Sequence, residues 1–570
     1  MLRNTMLAML VSPALTTSAV PEGAPSVKLT NGDVWGRALP ASGGVPVNEF
    51  LGIPFGHPTK RWEAPEDWVE DLPESPFNAT MWGRACLQVL TDTTYYGTED
   101  CLKLNVWQPA PAQEGDDLKP VMVYIYGGSD QFGEAEPYNM SGLAAFHDVV
   151  AVNMNYRTGP IGWMAFQADV DAKQSTGNFG IMDIQAALRW VQREIQNFGG
   201  DPTRVAIHGQ SSGAGLAEVT GIVSPASNGL LRGVISESGG LGAKSLASGL
   251  ANTEHVAKSA GCYNDTTTPE EVKACMVALP PLTVTKMTNT GSWGPTVDGI
   301  TVPDDPGRML SEGRVIPSLE AVAFGAQTLD SFLNLKDQYV QKDGNLEQMS
   351  NDTYIAYLKS KFGAKFDEAL KLYPPAAYPA GQPGSIKNVQ NIGQIASDPS
   401  HCGNRQRAAT LTAKTNATGY VYRFDYFYQS NTKCNSVPNF HNPEYGPLHQ
   451  DEVTFVMGQP NFMELGSCCG KWGLSEGEES CAQEPQCTNC FDPELGEGYH
   501  AYFDDKEWNL TRAVGDFWTS FARSGSSGDE SKWPSTDTSG KGGIVFNADL
   551  PGGSAVETDL YSDAAYCSFW

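Results

Sequence analysis

Short runs of apolar, largely β-branched residues recur along this chain, at Val121–Tyr126, Val149–Met154, Arg204–His208, Gly233–Ser236, Ala321–Phe324 and Gly419–Phe424. They are continuous, not alternating, which is the pattern of strands buried on both faces. Between the second and third lies Ile181–Phe198, where Ile184, Ala187, Leu188, Val191, Ile195 and Phe198 recur at helical spacing with Arg189, Gln192, Arg193 and Glu194 opposite. That period predicts an amphipathic helix. Gly199-Gly200 predicts its stop, directly before the strand at Arg204. Strand, helix and strand in this order build a large, mostly parallel sheet flanked by helices, an α/β fold with right-handed crossovers. Ligands of such sheets bind beyond the carboxyl ends of the strands, so chemistry is sought there.

At the carboxyl end of Arg204–His208 stands Gly209-Gln210-Ser211-Ser212-Gly213, followed by the helix-forming Ala214-Gly215-Leu216-Ala217-Glu218. Two glycines allow a strained strand-to-helix turn that projects Ser211 from the sheet, and a helix N-terminus favours negative charge developing beside it. The five-residue motif is weak by itself in a chain with 60 glycines; its setting carries it. Ser212 lacks the flanking glycine spacing, so Ser211 is the candidate nucleophile. A serine hydroxyl is a poor nucleophile at neutral pH and needs a base, which in turn needs an orienting group. Of eight histidines, His255, His401, His441, His449 and His500 follow Ser211, the chain order such enzymes use. His208 belongs to the strand that feeds the turn and is excluded.

Composition narrows the class. The chain has 570 residues with 38 basic and 66 acidic side chains, a formal charge of −28. That balance argues against nucleic acid as a partner, because phosphate binding needs a basic face. No mature stretch reaches the 18 or so apolar residues of a membrane span. Met1–Thr5 carries one positive charge, Met6–Leu15 is apolar, and Thr16–Ala19 is small, the order of a secretory signal cleaved after Ala19. The rest, Val20–Trp570, shows no repeat or linker and reads as a single domain. Twelve cysteines fit an exported, disulfide-bonded protein. Cys468, Cys469, Cys481, Cys487 and Cys490 crowd together without an interleaved histidine, so the segment near 467–490 reads as a stapled insertion and not a zinc site. Six sequons, at Asn78, Asn139, Asn264, Asn351, Asn416 and Asn509, permit glycans. Neither metal nor cofactor is expected.

Several segments carry a resemblance. Asn178–Asp183 and Phe198–Gly213, with Glu99–Pro109, Phe50–Pro54 and Asn155–Pro160, resemble the type-B carboxylesterase or cholinesterase-like family of α/β-hydrolases. The resemblance runs from about Phe50 to Gly458 and has no counterpart for the Cys468–Cys490 segment. It implies an α/β-hydrolase fold and a serine hydrolase that cleaves a small-molecule carboxylic ester through an acyl-enzyme. Carried over position by position, it makes His449, in His449–Gly458, the base, with His441 the rival. Gln450 stands where the family has glycine. The acid falls at Asp330, five residues past Gly325, where the family has glutamate. The resemblance further assigns an oxyanion hole to the backbone of Gly128, Ser129 and Ser212, with Gly127-Gly128-Ser129 in the place of three glycines. Serine leaves the main-chain donor intact but is strained if that position needs a positive φ.

It also implies disulfides Cys86–Cys101 and Cys262–Cys275, a downstream partner for Cys402 at Cys434 or Cys567, and an Arg157–Asp183 ion pair. Leu87–Asp100, the loop between the first two cysteines, has 14 residues, shorter than the flap of lipases that resemble this family, which favours soluble esters over triglyceride. That loop holds Tyr95 and Tyr96 but no Trp, and Gln210 replaces the family's Glu before the nucleophile, so choline esters are not expected. The alternative class is a catalytically inactive cholinesterase-like binding or adhesion protein. Such relatives usually lose the serine or histidine, and here both are present.

Overall fold

Continuous apolar runs need cover on both faces, and an eleven-stranded mixed sheet gives it to them. In this computed structural model, residues 20–39, 44–58, 60–89, 94–110, 117–339, 346–427, 446–459, 503–556 and 564–569 are described. The strands of the sheet, in chain order, are β1 (Arg37–Leu39), β2 (Val47–Pro54), β3 (Lys103–Pro109), β4 (Lys119–Ile125), β5 (Val150–Met154) and β6 (Gly200–Gln210). They continue as β7 (Gly233–Glu237), β8 (Ala321–Gln327), β9 (Thr418–Phe424), β10 (Ile544–Phe546) and β11 (Ser554–Val556). Across the sheet they lie in the order β11-β10-β9-β8-β7-β6-β4-β5-β3-β2-β1. Neighbours from β5 to β10 are parallel. The outer pairs are antiparallel. All six apolar runs of the sequence lie in the parallel region, and every residue of β5, β7 and β8 is buried. Burying one such aliphatic side chain contributes about 1.5–3 kcal/mol, so these strands dominate the core.

The helix expected at Ile181–Phe198 is α1 (Phe179–Glu194), followed by a 3-10 turn at Ile195–Phe198 that Gly199 ends at φ 75°. One position differs from the amphipathic reading. Glu194 is buried, not solvent-facing, and accepts hydrogen bonds from the backbone N–H of Thr30 at 3.1 Å and from Arg193 Nε at 3.2 Å. A buried carboxylate is tolerated where donors replace its water. Beyond the nucleophile motif, α2 (Ser212–Glu218) packs on β6 and β7, while α3 (Ile386–Lys414) packs on β8 and β9. The carboxyl-terminal α5 (Asp505–Ser524) lies across β4, β6 and β7, and between α3 and α5 in sequence comes the short α4 (Val453–Met457).

A second, smaller apolar cluster sits apart from the main core. Leu329, Phe332, Leu358, Val389, Ile392 and Leu448 belong to it. Its Leu329 and Leu448 stand next in sequence to Asp330 and His449, so this packing anchors both loops at the rim of the sheet.

Arg157 and Asp183 make a buried two-pronged pair, Nε to Oδ2 at 2.8 Å and Nη2 to Oδ1 at 2.7 Å, with side chains 3% and 0% exposed. Arg157 also donates through Nη1 to Glu63 O at 2.9 Å, tying three segments together. Removing one partner leaves a buried charge uncompensated, so Asp183→Ala is expected to destabilise the fold by about 3–5 kcal/mol. Denaturant unfolding followed by tryptophan fluorescence checks it; a loss within the ordinary surface range of about 0.5 kcal/mol contradicts the structural role.

Candidate active site

Ser211 occupies a strained turn at the carboxyl end of β6, with φ 61° and ψ −130°. Its two glycine neighbours are required by space. A Cβ on Gly209 would lie 2.6 Å from Ile125 O, and one on Gly213 would lie 2.2 Å from the same oxygen. The turn is then held by its own backbone. Ser211 N donates to Glu237 O at 2.8 Å, and Ser211 O accepts from Ala214 N at 3.0 Å and Gly215 N at 3.1 Å. The residue remains partly accessible at the sheet edge.

His449 and Asp330, 119 residues apart in sequence, meet at that edge: His449 Nδ1 lies 2.9 Å from Asp330 Oδ1. The strand β8 ends at Gln327 and Asp330 opens the 3-10 turn after it, while a backbone bond from Leu329 N to Pro447 O, 3.0 Å, clips the two loops together. Burial pushes the Asp330 carboxyl up, but the His449 charge and hydrogen bond and the Ser238 hydroxyl outweigh it and hold it below its ordinary value. In the same way burial pushes the His449 imidazole down, and Asp330 outweighs it and leaves it raised. Among the described residues no hydrogen bond joins the Ser211 hydroxyl to His449. Such catalytic bonds are often long before substrate binds.

Several groups behind this pair had no signal in the sequence reading. Ser238, just past β7, lies 2.7 Å from both Asp330 Oδ1 and Gln327 Oε1, so its hydroxyl braces the Asp330 carboxylate. Gln327 also bonds Glu452, a buried carboxyl held up by desolvation and by the nearby charges of Glu237 and Asp330. Glu237 in turn accepts from Trp518 Nε1 at 2.8 Å and lies 2.9 Å from His208 Nδ1. His208 is therefore a buried residue of the strand β6, held against Glu237. Gln450 adopts φ 86°, the conformation that a glycine would take without strain, and its side chain bonds Tyr138. The available clue was positional: Ser238 follows β7 as Ser211 follows β6.

Facing Ser211, the turn Gly127–Asp130 packs closely against it; a Cβ on Gly127 would sit 2.9 Å from Ser211 Cβ. Gly128 has φ 123° and Ser129 φ 57°, so the serine does occupy a left-handed position. The N–H groups of Gly128, Ser129 and Ser212 donate to no acceptor among the described residues. Ser212 instead accepts, its Oγ receiving Asp130 N at 3.1 Å.

The remaining expectations fall as follows. Disulfides join Cys86 to Cys101, Cys262 to Cys275 and Cys402 to Cys567. Asn264, Asn416 and Asn509 are exposed, and Asn78, Asn139 and Asn351 are half-buried. Gln210 is fully buried and its amide lacks a partner among the described residues. His401 is buried against Gln327 O at 2.8 Å, and His255 is exposed on a helix remote from the rim in sequence. Residues 1–19, His441, His500, Cys434 and the Cys468–Cys490 cluster lie outside the described residues. Among the described residues no group of side chains could hold a metal ion.

A mixed sheet with helices packed on it, and a serine raised on a strand-to-helix turn, is the architecture of an α/β-hydrolase. A family model described as the Carboxylesterase family matches residues 23–471. Esterase E4 from Myzus persicae is 31% identical over 473 residues, 79% of this chain and 83% of its own length. Carboxylesterase 1C from Rattus norvegicus is 28% identical over 554 residues, 91% and 89% of the two chains. Cholinesterase from Mus musculus is 31% identical over 382 residues, 62% and 59%. The chain belongs to the carboxylesterase family and is a carboxylic ester hydrolase.

The His449 environment makes a prediction independent of turnover. Its raised value means that the imidazole keeps its proton to higher pH than an ordinary histidine, about 6.5. Asp330→Asn removes the charge that holds the proton while burial remains, so the titration should move to lower pH. Histidine-labelled NMR titration of the two proteins checks it; a midpoint unmoved by the substitution contradicts the pairing.

Proposed function

We propose that the protein is a secreted serine carboxylesterase in which Ser211 attacks the ester carbonyl, His449 takes and returns the proton, and Asp330 fixes the imidazole's tautomer. The single observation that carries this reading is the 2.9 Å contact between His449 Nδ1 and Asp330 Oδ1 at the sheet edge that bears Ser211. With Nδ1 bound to the carboxylate, Nε2 is the nitrogen left to serve the serine. Attack turns the carbonyl oxygen into an oxyanion, for which the N–H groups of Gly128, Ser129 and Ser212 are the donors; each such donor is worth about 10²–10³ in rate. His449 then protonates the departing alcohol, and water repeats the sequence on the acyl-enzyme. Orientation by Asp330 is worth about 10⁴ by analogy with other triads.

Soluble esters are the substrate class this reading favours. The Cys86–Cys101 disulfide closes a short loop in which Gln88–Val89 pairs with Tyr95–Tyr96, and a flap of that size gives little surface for an oil interface. Export agrees with three disulfides and with sequons that are all at least partly accessible.

Three outcomes test the proposal. Hydrolysis of p-nitrophenyl esters from acetyl to long chain should favour short to medium acyl groups, and Ser211→Ala should abolish both hydrolysis and labelling by a fluorescent organophosphonate. Labelling that does not depend on Ser211 would support the inactive binding reading instead, and a wide preference for long chains would overturn the soluble-ester assignment. Protein recovered from the medium of a eukaryotic host should begin at Val20 and lose mass on endoglycosidase treatment; an intact Met1 would contradict the export signal.

A further inference from the structure

The oxyanion turn carries a phenylalanine that no step of the chemistry above uses. Residues Gly127–Asp130 lead into Gln131-Phe132-Gly133, which fold back on them: Gln131 N and Phe132 N both donate to Gly128 O, at 3.0 and 3.3 Å. The return is tight, since a Cβ on Gly128 would lie 2.1 Å from Phe132 O and 3.2 Å from Phe132 Cδ2. The ring therefore lies against the bare Cα of a residue whose N–H the esterase reading makes an oxyanion donor. One residue earlier, a Cβ on Gly127 would lie 2.9 Å from Ser211 Cβ, so ring and nucleophile border consecutive residues of one turn. An ester carbonyl held by the N–H groups of Gly128, Ser129 and Ser212 has its acyl chain or its alkoxy group passing beside that turn.

The chain after Phe132 is fixed as firmly. Gly133 N donates to Gln88 Oε1 and Gly133 O accepts from Gln88 Nε2, both at 3.0 Å, and a Cβ on Gly133 would lie 2.6 Å from the Tyr126 ring. Gln88 is buried in the hairpin of the Cys86–Cys101 loop, and Tyr96 of the same hairpin donates to Glu134 Oε2 at 2.9 Å. Phe132 nonetheless leaves 39% of its surface open to solvent. A single exposed apolar residue is ordinary on a protein surface. An accessible ring whose backbone is held on both sides, at the turn that faces the nucleophile, is apolar area already ordered for contact. The neighbouring charges decide which group suits it. Glu134, two residues on, is raised by burial to about 7 and engaged by Tyr96, and Gln210 beside Ser211 is uncharged. Neither supplies the strong fixed anion that would help a cation settle on the ring, and a neutral aromatic partner needs none.

Resting on the esterase reading, we infer that Phe132 is a specificity-determining residue that receives a neutral aryl group of the ester, on its acyl or its alcohol side, by ring-to-ring contact beside the oxyanion turn.

The test compares kcat/KM for esters that differ only in whether a six-membered ring is aromatic, with acid release followed by pH-stat. Benzyl butyrate against cyclohexylmethyl butyrate places the ring on the alcohol, and ethyl phenylacetate against ethyl cyclohexylacetate places it on the acid. In at least one pair the aryl-to-cyclohexyl ratio of the wild type should exceed that of Phe132→Leu by about two- to tenfold, the usual range for an aromatic pair beyond its area burial. Phe132→Tyr, which keeps the ring, should retain the wild-type ratio. Ratios of this kind do not depend on how much of a variant folds, and the comparison with leucine cancels the esters' own reactivity. Agreement between wild type and Phe132→Leu in both pairs, or a Phe132→Tyr ratio fallen to that of leucine, overturns the assignment. A preference for butyrylcholine over 3,3-dimethylbutyl butyrate that Phe132→Leu abolishes also overturns it, because the ring then serves a cation. Wild-type turnover separates the two levels: with all four ring esters hydrolysed only the Phe132 assignment falls, and with none hydrolysed the esterase reading falls as well.

Discussion

Everything at the site depends on one backbone constraint, the strand-to-helix turn at Ser211. Two carbonyl oxygens of the β4 end, Ile125 O and Tyr126 O, approach Gly213 to distances that no Cβ could share, and Gly209 meets Ile125 O in the same way. A left-handed serine costs on the order of 1–3 kcal/mol and persists only where its surroundings over-determine it. Here they do. Of the parallel strands on either side, β7 is buried throughout and β4 at every residue but Lys119, α2 starts directly after the turn, and the Ser211 backbone is bonded in both directions. Rigidity in the sheet thus becomes position for one hydroxyl.

A second level of packing brings Asp330 and His449 together at the same edge of the sheet. Leu329 and Leu448 are buried in the smaller apolar cluster, and the residue following each is the one whose side chain carries charge. Because the backbones are clipped at Leu329 N and Pro447 O, the carboxylate and imidazole are held within hydrogen-bonding distance of each other. Preorganisation of this kind is where electrostatic catalysis gets its advantage over water. The opposed shifts of Asp330 and His449 express the same interaction from its two ends: each favours its charged form because the other is there.

How much of this was legible depended on whether the signal was local. The six buried runs, the helix before the nucleophile and the Gly-x-Ser-x-Gly turn are each contained within a few consecutive residues, and each forms at the place its pattern indicates. The antiparallel flank was less legible. Val47–Pro54 and Lys103–Pro109 were read only as fragments of family motifs, because a strand of mixed composition has no period that separates it from a loop. Asp330 and His449 were placed through resemblance, not through spacing. Ser238, Gln327 and Glu452 could not be found at all, since they become neighbours only when β7, β8 and the loop before α4 are side by side. Ser129 and Gln450 are instructive in another way. Both stand where the resemblance led glycine to be expected, and both adopt positive φ.

The central claim is covalent: an acyl group passes through one serine oxygen. Rapid quenching of a p-nitrophenyl acetate reaction during its burst, followed by peptide mapping in a mass spectrometer, addresses it directly. The account predicts one acetyl group per chain, on Ser211. Acetylation at Ser212 or elsewhere, or turnover with no trapped acyl-enzyme and no burst, would contradict it.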